Sequence, residues 1–126
     1  MSRDRVIAWA AQYFDRGQFF DDLARRVAIP TESQNPARGA ELAAYLDDEI
    51  APALTAMGYA CRRLENPKAP RMPFLFAERR EGAGRPTVLT YGHGDVVRGM
   101  EEDWRDGLDP WRLTREGERW YGRGTA

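Results

Sequence analysis

Apolar side chains recur at helical spacing through the first half of the chain and give way to short extended runs after residue 58. Val6, Ile7, Ala10, Ala11 and Phe14 fall on one face and predict a helix over residues 4–15, with Asp4 as N-cap and Gly17 as stop. Phe19, Leu23 and Val27 predict a second helix over 18–28, ended by Pro30, because the residue before a proline is pushed out of the helical region. Thr31 to Pro36 is a polar loop. Leu42, Leu46, Ile50, Leu54 and Met57 form the clearest stripe, a helix from about 38 to 57 closed by Gly58. Pro52 lies inside it, removes a backbone donor and crowds the preceding turn, so a kink or restart is expected there.

These apolar faces need a partner, and the strands that follow supply a candidate. Residues 59–64 and 73–78 predict two strands, separated by a turn region at 65–70. Pro86 to Tyr91 predicts a third, whose nearly continuous apolar stretch suits burial on both faces of a sheet covered by helices. Beyond residue 98 the chain turns loop-like and acidic, and 113–115 and 119–121 predict a hairpin through Glu116-Gly117-Glu118. No internal repeat or low-complexity tract interrupts this order. The pattern is that of an α/β chain.

Composition narrows the function classes. The 126 residues suit one domain, and a domain of this size buries roughly two-thirds of its unfolded surface. Nineteen basic residues against twenty acidic ones leave a net charge of −1, which supplies neither the positive surface that nucleic acid requires nor the basic excess that an anionic membrane attracts. Cys61 is the only cysteine, so an internal disulfide is excluded, and it is expected as a small apolar residue in a strand. No apolar run approaches the roughly 20 residues of a membrane span, and Met1 to Arg5 lacks a following apolar region of the signal-peptide kind. A cytoplasmic location is expected.

The chemistry concentrates in Thr90-Tyr91-Gly92-His93-Gly94-Asp95-Val96-Val97, at the C-terminal end of the third expected strand, where open α/β sheets place ligands. His93 is the only histidine, and in extended backbone Asp95, two residues on, points to the same side. A neutral imidazole can bind zinc through one nitrogen while a carboxylate on the other fixes its tautomer and raises its basicity. Gly92 and Gly94 are expected to relieve Cβ crowding on either side. His-x-Asp by itself is a weak signal; a surface histidine and an aspartate serving a turn fit the same residues. Glu101-Glu102-Asp103 is expected as a solvated run; Trp104, Trp111 and Trp120 are cleft walls or packing anchors, and Arg123 is an anion ligand or a loop pin. Phosphate loops, Ser/His/Asp arrangements and zinc-finger spacings do not occur.

Wider context adds a resemblance. Gly92-His93-Gly94-Asp95-Val96-Val97, then Trp104, Asp109-Pro110-Trp111 and Trp120-Tyr121-Gly122-Arg123-Gly124-Thr125 resemble, in order and spacing, the zinc peptidase and deacylase family of acetylornithine deacetylase, succinyl-diaminopimelate desuccinylase, aminoacylase, carnosinase and the glutamate carboxypeptidases. Ile29-Pro30-Thr31 and Met57-Gly58-Tyr59 match more loosely. The resemblance implies a three-layer αβα catalytic domain, of which residues 1–126 would be the amino-terminal part, with a separate dimerisation domain and the rest of the catalytic domain outside it. His93 matches a ligand of one of two zinc ions, with cobalt as an alternative metal, and Asp95 matches the aspartate that orients it. The segment Gly122 to Ala126 matches the stretch before a metal-bridging aspartate; the general base and remaining ligands match nothing in this chain. Arg98 stands where the family has proline.

The implied activity is hydrolysis of an amide or peptide bond in an N-acyl amino acid or dipeptide-like small molecule, by a homodimer when full length. With one histidine, these residues alone are expected to be inactive, to bind zinc weakly, and to unfold in a modest transition with an exposed sheet edge. The competing reading is a non-catalytic α/β interaction module anchored by exposed aromatics.

Overall fold

A computed structural model describes residues 2–125. It divides into two compact units, one formed by Met1–Ile29 with Met100–Ala126 and the other by Pro30–Gly99.

In the first unit, helices α1 (Arg3–Asp15) and α2 (Gln18–Val27) meet at Gly17, whose φ of +80° is cheap only for glycine. The expected helices are present, but the N-cap of α1 is Ser2, whose Oγ accepts from the Arg5 amide; Asp4 falls in the first turn, where its charge still favours the helix dipole. No residue of α1 is fully buried; of its apolar stripe, Phe14 packs against Phe19 and Trp120, while Val6 and Ile7 stay exposed. A 3₁₀ turn (Glu101–Asp103) precedes strands β1 (Thr114–Glu116) and β2 (Arg119–Tyr121), which pair antiparallel as the expected hairpin. Val27, Leu113 and Pro110 form its buried centre. A Cβ on Gly122 would stand 2.9 Å from Val27 Cγ1, so this close approach requires glycine.

The second unit opens with the buried residues Thr31 and Glu32 and a 3₁₀ turn, Pro36–Arg38, capped by the Asn35 side chain. Helix α3 (Gly39–Ala44), a π-helical stretch (Tyr45–Ile50) and helix α4 (Ala51–Ala56) then run on without a break. The expected kink or restart at Pro52 is replaced by a change of helix type: the helix continues, and the wider π turn just ahead of proline accommodates the residue that lacks an N–H. Strands β3 (Ala60–Leu64) and β4 (Phe74–Glu78) pair antiparallel from Ala60↔Glu78 to Leu64↔Phe74. Helix α4 packs on this hairpin, and half-buried Cys61, opposite Ala77, is the small strand residue expected.

The third expected strand is corrected. Residues 86–91 adopt no regular structure, and Val88, Leu89 and Tyr91 are 81%, 90% and 87% exposed. An apolar run becomes a buried strand only when neighbours bond both of its edges, and among the described residues β3 and β4 pair only with each other. Each sheet is two-stranded and antiparallel.

Candidate metal-binding site

The stretch around His93 is held in place from the other end of the second unit. Thr31 Oγ1 donates to the Gly94 carbonyl at 2.6 Å, and the Val96 amide donates to the Thr31 carbonyl at 2.9 Å. The Ser33 amide donates to the Val96 carbonyl at 3.1 Å, so Glu32 and Val96 form a parallel bridge. Glu32 completes the clamp: Oε1 accepts from the Gly99 amide at 2.7 Å, while Oε2 accepts from Asn35 Nδ2 at 2.9 Å and Arg38 Nε at 3.2 Å. The Gly99 amide first, then Asn35, with a smaller part from Arg38, holds the Glu32 carboxyl below its ordinary value against the opposing effect of burial. Arg38 also reaches Glu41 at 2.8 Å, which lowers the Glu41 carboxyl and raises the guanidinium.

Within this frame the two expected residues come together. His93 Nδ1 lies 3.1 Å from the Asp95 carbonyl oxygen and 3.2 Å from Asp95 Oδ1. Two acceptors facing one ring nitrogen favour the tautomer that carries its proton there, which leaves the Nε2 lone pair for a cation. Both side chains are open to solvent, at 67% and 45% exposure. They border a cavity of about 640 Å³, walled by Leu42, Leu46, Leu54, Phe74 and Leu75. The donor chemistry fits one oriented ligand of a zinc site; among the described residues no group of three His, Cys, Asp or Glu side chains gathers to form a whole one.

The flanking glycines divide. A Cβ on Gly94 would fall within the Tyr45 ring, 2.6 Å from Cζ and 2.9 Å from Cδ1, whereas Gly92 has nothing within 4 Å. The expected relief of crowding therefore holds at 94 and is corrected at 92.

In the first unit the tryptophans are engaged. Trp120 stacks on Phe14 at 5.4 Å and meets Phe20 edge-on at 5.2 Å; Trp111 Nε1 donates to Glu101 at 2.7 Å. The Arg123 guanidinium lies 5.3 Å from the Trp104 ring centre, and its backbone amide donates to the Pro110 carbonyl at 2.7 Å. These are packing anchors and a loop pin. Sequence reasoning passed over Glu32 and Tyr45: the first stood in a stretch taken as polar loop, the second lies off the apolar stripe.

No family model matches the chain. Over 80 residues it is 39% identical to succinyl-diaminopimelate desuccinylase of Delftia acidovorans (strain DSM 14801 / SPH-1), a match covering 61% of this chain and 20% of that protein. The solved structure of the di-peptidase Dug1p from Saccharomyces cerevisiae superposes with a TM-score of 0.73 at 25% identity, over 90% of this chain and 26% of that one. The chain is thus similar over part of its length to a desuccinylase and to a di-peptidase. The expected likeness is borne out, and its α/β fold corresponds to part of the di-peptidase chain. It spans about a fifth of the length of the curated relative and about a quarter of the solved one.

Proposed function

We propose that residues 1–126 form the amino-terminal part of the catalytic domain of a metal-dependent hydrolase that cleaves an amide or peptide bond in a small N-acyl amino acid or dipeptide-like substrate. The observation that carries this is the His93–Asp95 pairing, 3.2 Å from ring nitrogen to carboxylate, in a chain similar to a desuccinylase and a di-peptidase. His93 would bind the metal through Nε2, and Asp95 would hold the imidazole in the required tautomer. A zinc ion there would polarise the scissile carbonyl and lower the pKa of bound water. The remaining donors and the general base would come from outside the described residues, since no group of three gathers within them.

The chain's own contribution is orientation. The bridge from Glu32 to Val96 and the bond from Thr31 to Gly94 hold the backbone beside the ligand. The adjacent apolar cavity offers room for a side chain or acyl group, or for further chain to pack. The test is hydrolysis of N-succinyl and N-acetyl amino acids and dipeptides by the protein translated from the whole reading frame, with bound metal measured alongside. His93→Ala is expected to abolish turnover and lose metal, and Asp95→Asn to cost about 10–100-fold in activity or metal affinity. Full turnover by His93→Ala would overturn the assignment.

A further inference from the structure

We infer that Glu32 is a positioning residue for His93: its buried carboxylate fixes the loop from Gly94 to Gly99 and thereby holds Asp95 against the imidazole. Glu32 is 5% exposed, and both of its oxygens are used. One oxygen takes the Gly99 amide, four residues beyond Asp95; the other takes Asn35 and Arg38, at the entrance to α3. The loop is thus tied at both ends, at Gly94 through Thr31 and at Gly99 through Glu32, with the backbone bridge to Val96 between them. Asp95 is the residue spanned by these ties, and it offers its carbonyl and its carboxylate to the same ring nitrogen.

The charge of Glu32 matters as well as its shape. A carboxylate only accepts, and the three groups that face it are all donors, an amide N–H, a carboxamide and a guanidinium. Bonds to an ionised acceptor are roughly twice as strong as neutral ones, and burial removes the competition of water. Truncation would take the carboxylate away from the buried Gly99 amide, and the segment carrying Gly99 would lose its anchor to the helix entrance, whereas Asn35 and Arg38 can turn to solvent and Arg38 keeps Glu41.

The consequence for chemistry rests on reading His93 as a metal ligand, and one experiment separates the two claims. His93 is the only histidine in the chain, so histidine-specific ¹⁵N labelling reports its two ring nitrogens without overlap. In the wild-type chain near pH 8 the spectrum is expected to show one dominant tautomer, protonated at Nδ1. In Glu32→Ala this preference is expected to be lost, giving a mixture of both N–H forms while the helical circular dichroism is retained. Val27→Ala, which weakens the core of the other unit, is expected to leave the tautomer unchanged.

An unaltered tautomer in folded Glu32→Ala overturns the inference, as does loss of the preference in Val27→Ala or its absence from the wild type. Should Glu32→Ala fail to fold, Glu32→Asp takes its place: its shortened carboxylate withdraws from Gly99, and an unchanged tautomer there overturns the inference equally. Zinc is then added to the wild type. Because one ligand binds zinc weakly, the titration runs to high zinc: a tautomer governed by Glu32 with no change at Nε2 even there retains the positioning role and tells against the metal reading, and a change at Nε2 that weakens about tenfold in the Glu32 variant supports both.

Discussion

Alanine at Gly94 and alanine at Gly92 are predicted to act in opposite directions. Neither glycine has a positive φ, so backbone strain does not separate them. At 94 the new methyl would stand 2.6 Å from Tyr45 Cζ and 2.9 Å from Cδ1, with Cε1 nearer still; carbon atoms pack at about 3.5–4.0 Å. The ring must therefore retreat by about 1 Å or more. It borders the 640 Å³ cavity and has space to swing, which puts the overpacking cost near the low end, about 1–2 kcal/mol. At 92 the methyl meets nothing within 4 Å, and the restricted unfolded chain gains about 0.4–1 kcal/mol. For a chain of this size, where 1 kcal/mol moves Tm by about 4 °C, Gly94→Ala should melt about 4–8 °C below wild type and Gly92→Ala slightly above it. Thermal circular dichroism measures both. Tyr45→Ala supplies the decisive background, because with the ring gone Gly94→Ala should cost almost nothing, leaving a coupling energy of about 1 kcal/mol or more. Equal melting of the two alanine variants, or an undiminished cost of Gly94→Ala without the Tyr45 ring, would refute the reasoning.

Glu32 makes stability pH-dependent: its folded carboxyl lies below the ordinary 4.5, so the unfolded chain binds more protons near that pH. Its contribution is full above the unfolded value and is lost as pH falls through the folded one. The gap in urea midpoint between wild type and Glu32→Gln should narrow from pH 6 to pH 3; a constant gap would contradict this. Trp120→Ala removes the ring that Phe14, Phe19 and Phe20 surround; because Trp120 is only half-buried, a loss of about 3 kcal/mol or less is expected by denaturant titration, with collapse of the near-ultraviolet aromatic signal. Leu89→Lys, at a side chain 90% exposed, should change stability by no more than about 0.5 kcal/mol and reduce aggregation measured by light scattering; marked destabilisation would return residues 86–91 to a buried strand.

Local patterns were legible wherever the deciding contact is local. The stripe Leu42, Leu46, Ile50 and Leu54 specified a helix, Gly17 the end of α1, and Gly117 the turn of the hairpin, where φ is +61°. The run Pro86 to Tyr91 misled because burial is not local: the same valine and leucine describe a central strand or a bare segment according to what pairs with their edges. At the site, two-residue spacing was enough to join His93 to Asp95. Glu32 was not legible, because its main partner is an amide 67 residues away and a backbone N–H leaves no mark in a sequence. Tyr45 was hidden for a similar reason: only the folded chain brings its ring to Gly94.

The order of cause within the site follows from burial. His93 and Asp95 are 67% and 45% exposed, and a contact so open to water contributes about 0–1 kcal/mol at most. Such a pair cannot itself order the loop that bears it. The groups able to do so are the screened ones: Thr31 at 3% exposure and Glu32 at 5%, whose bonds to Gly94 and Gly99 are not contested by solvent. The framework is therefore set first, by residues with no chemistry of their own, and the imidazole inherits its geometry from them. This explains why a motif of so few residues needs a long chain behind it. Spacing brings His93 and Asp95 within reach, but only the buried clamp gives their separation a definite value, and on the proposed reading of His93 as a ligand the ring must be held in place before an ion arrives if its binding is not to be spent on ordering the loop.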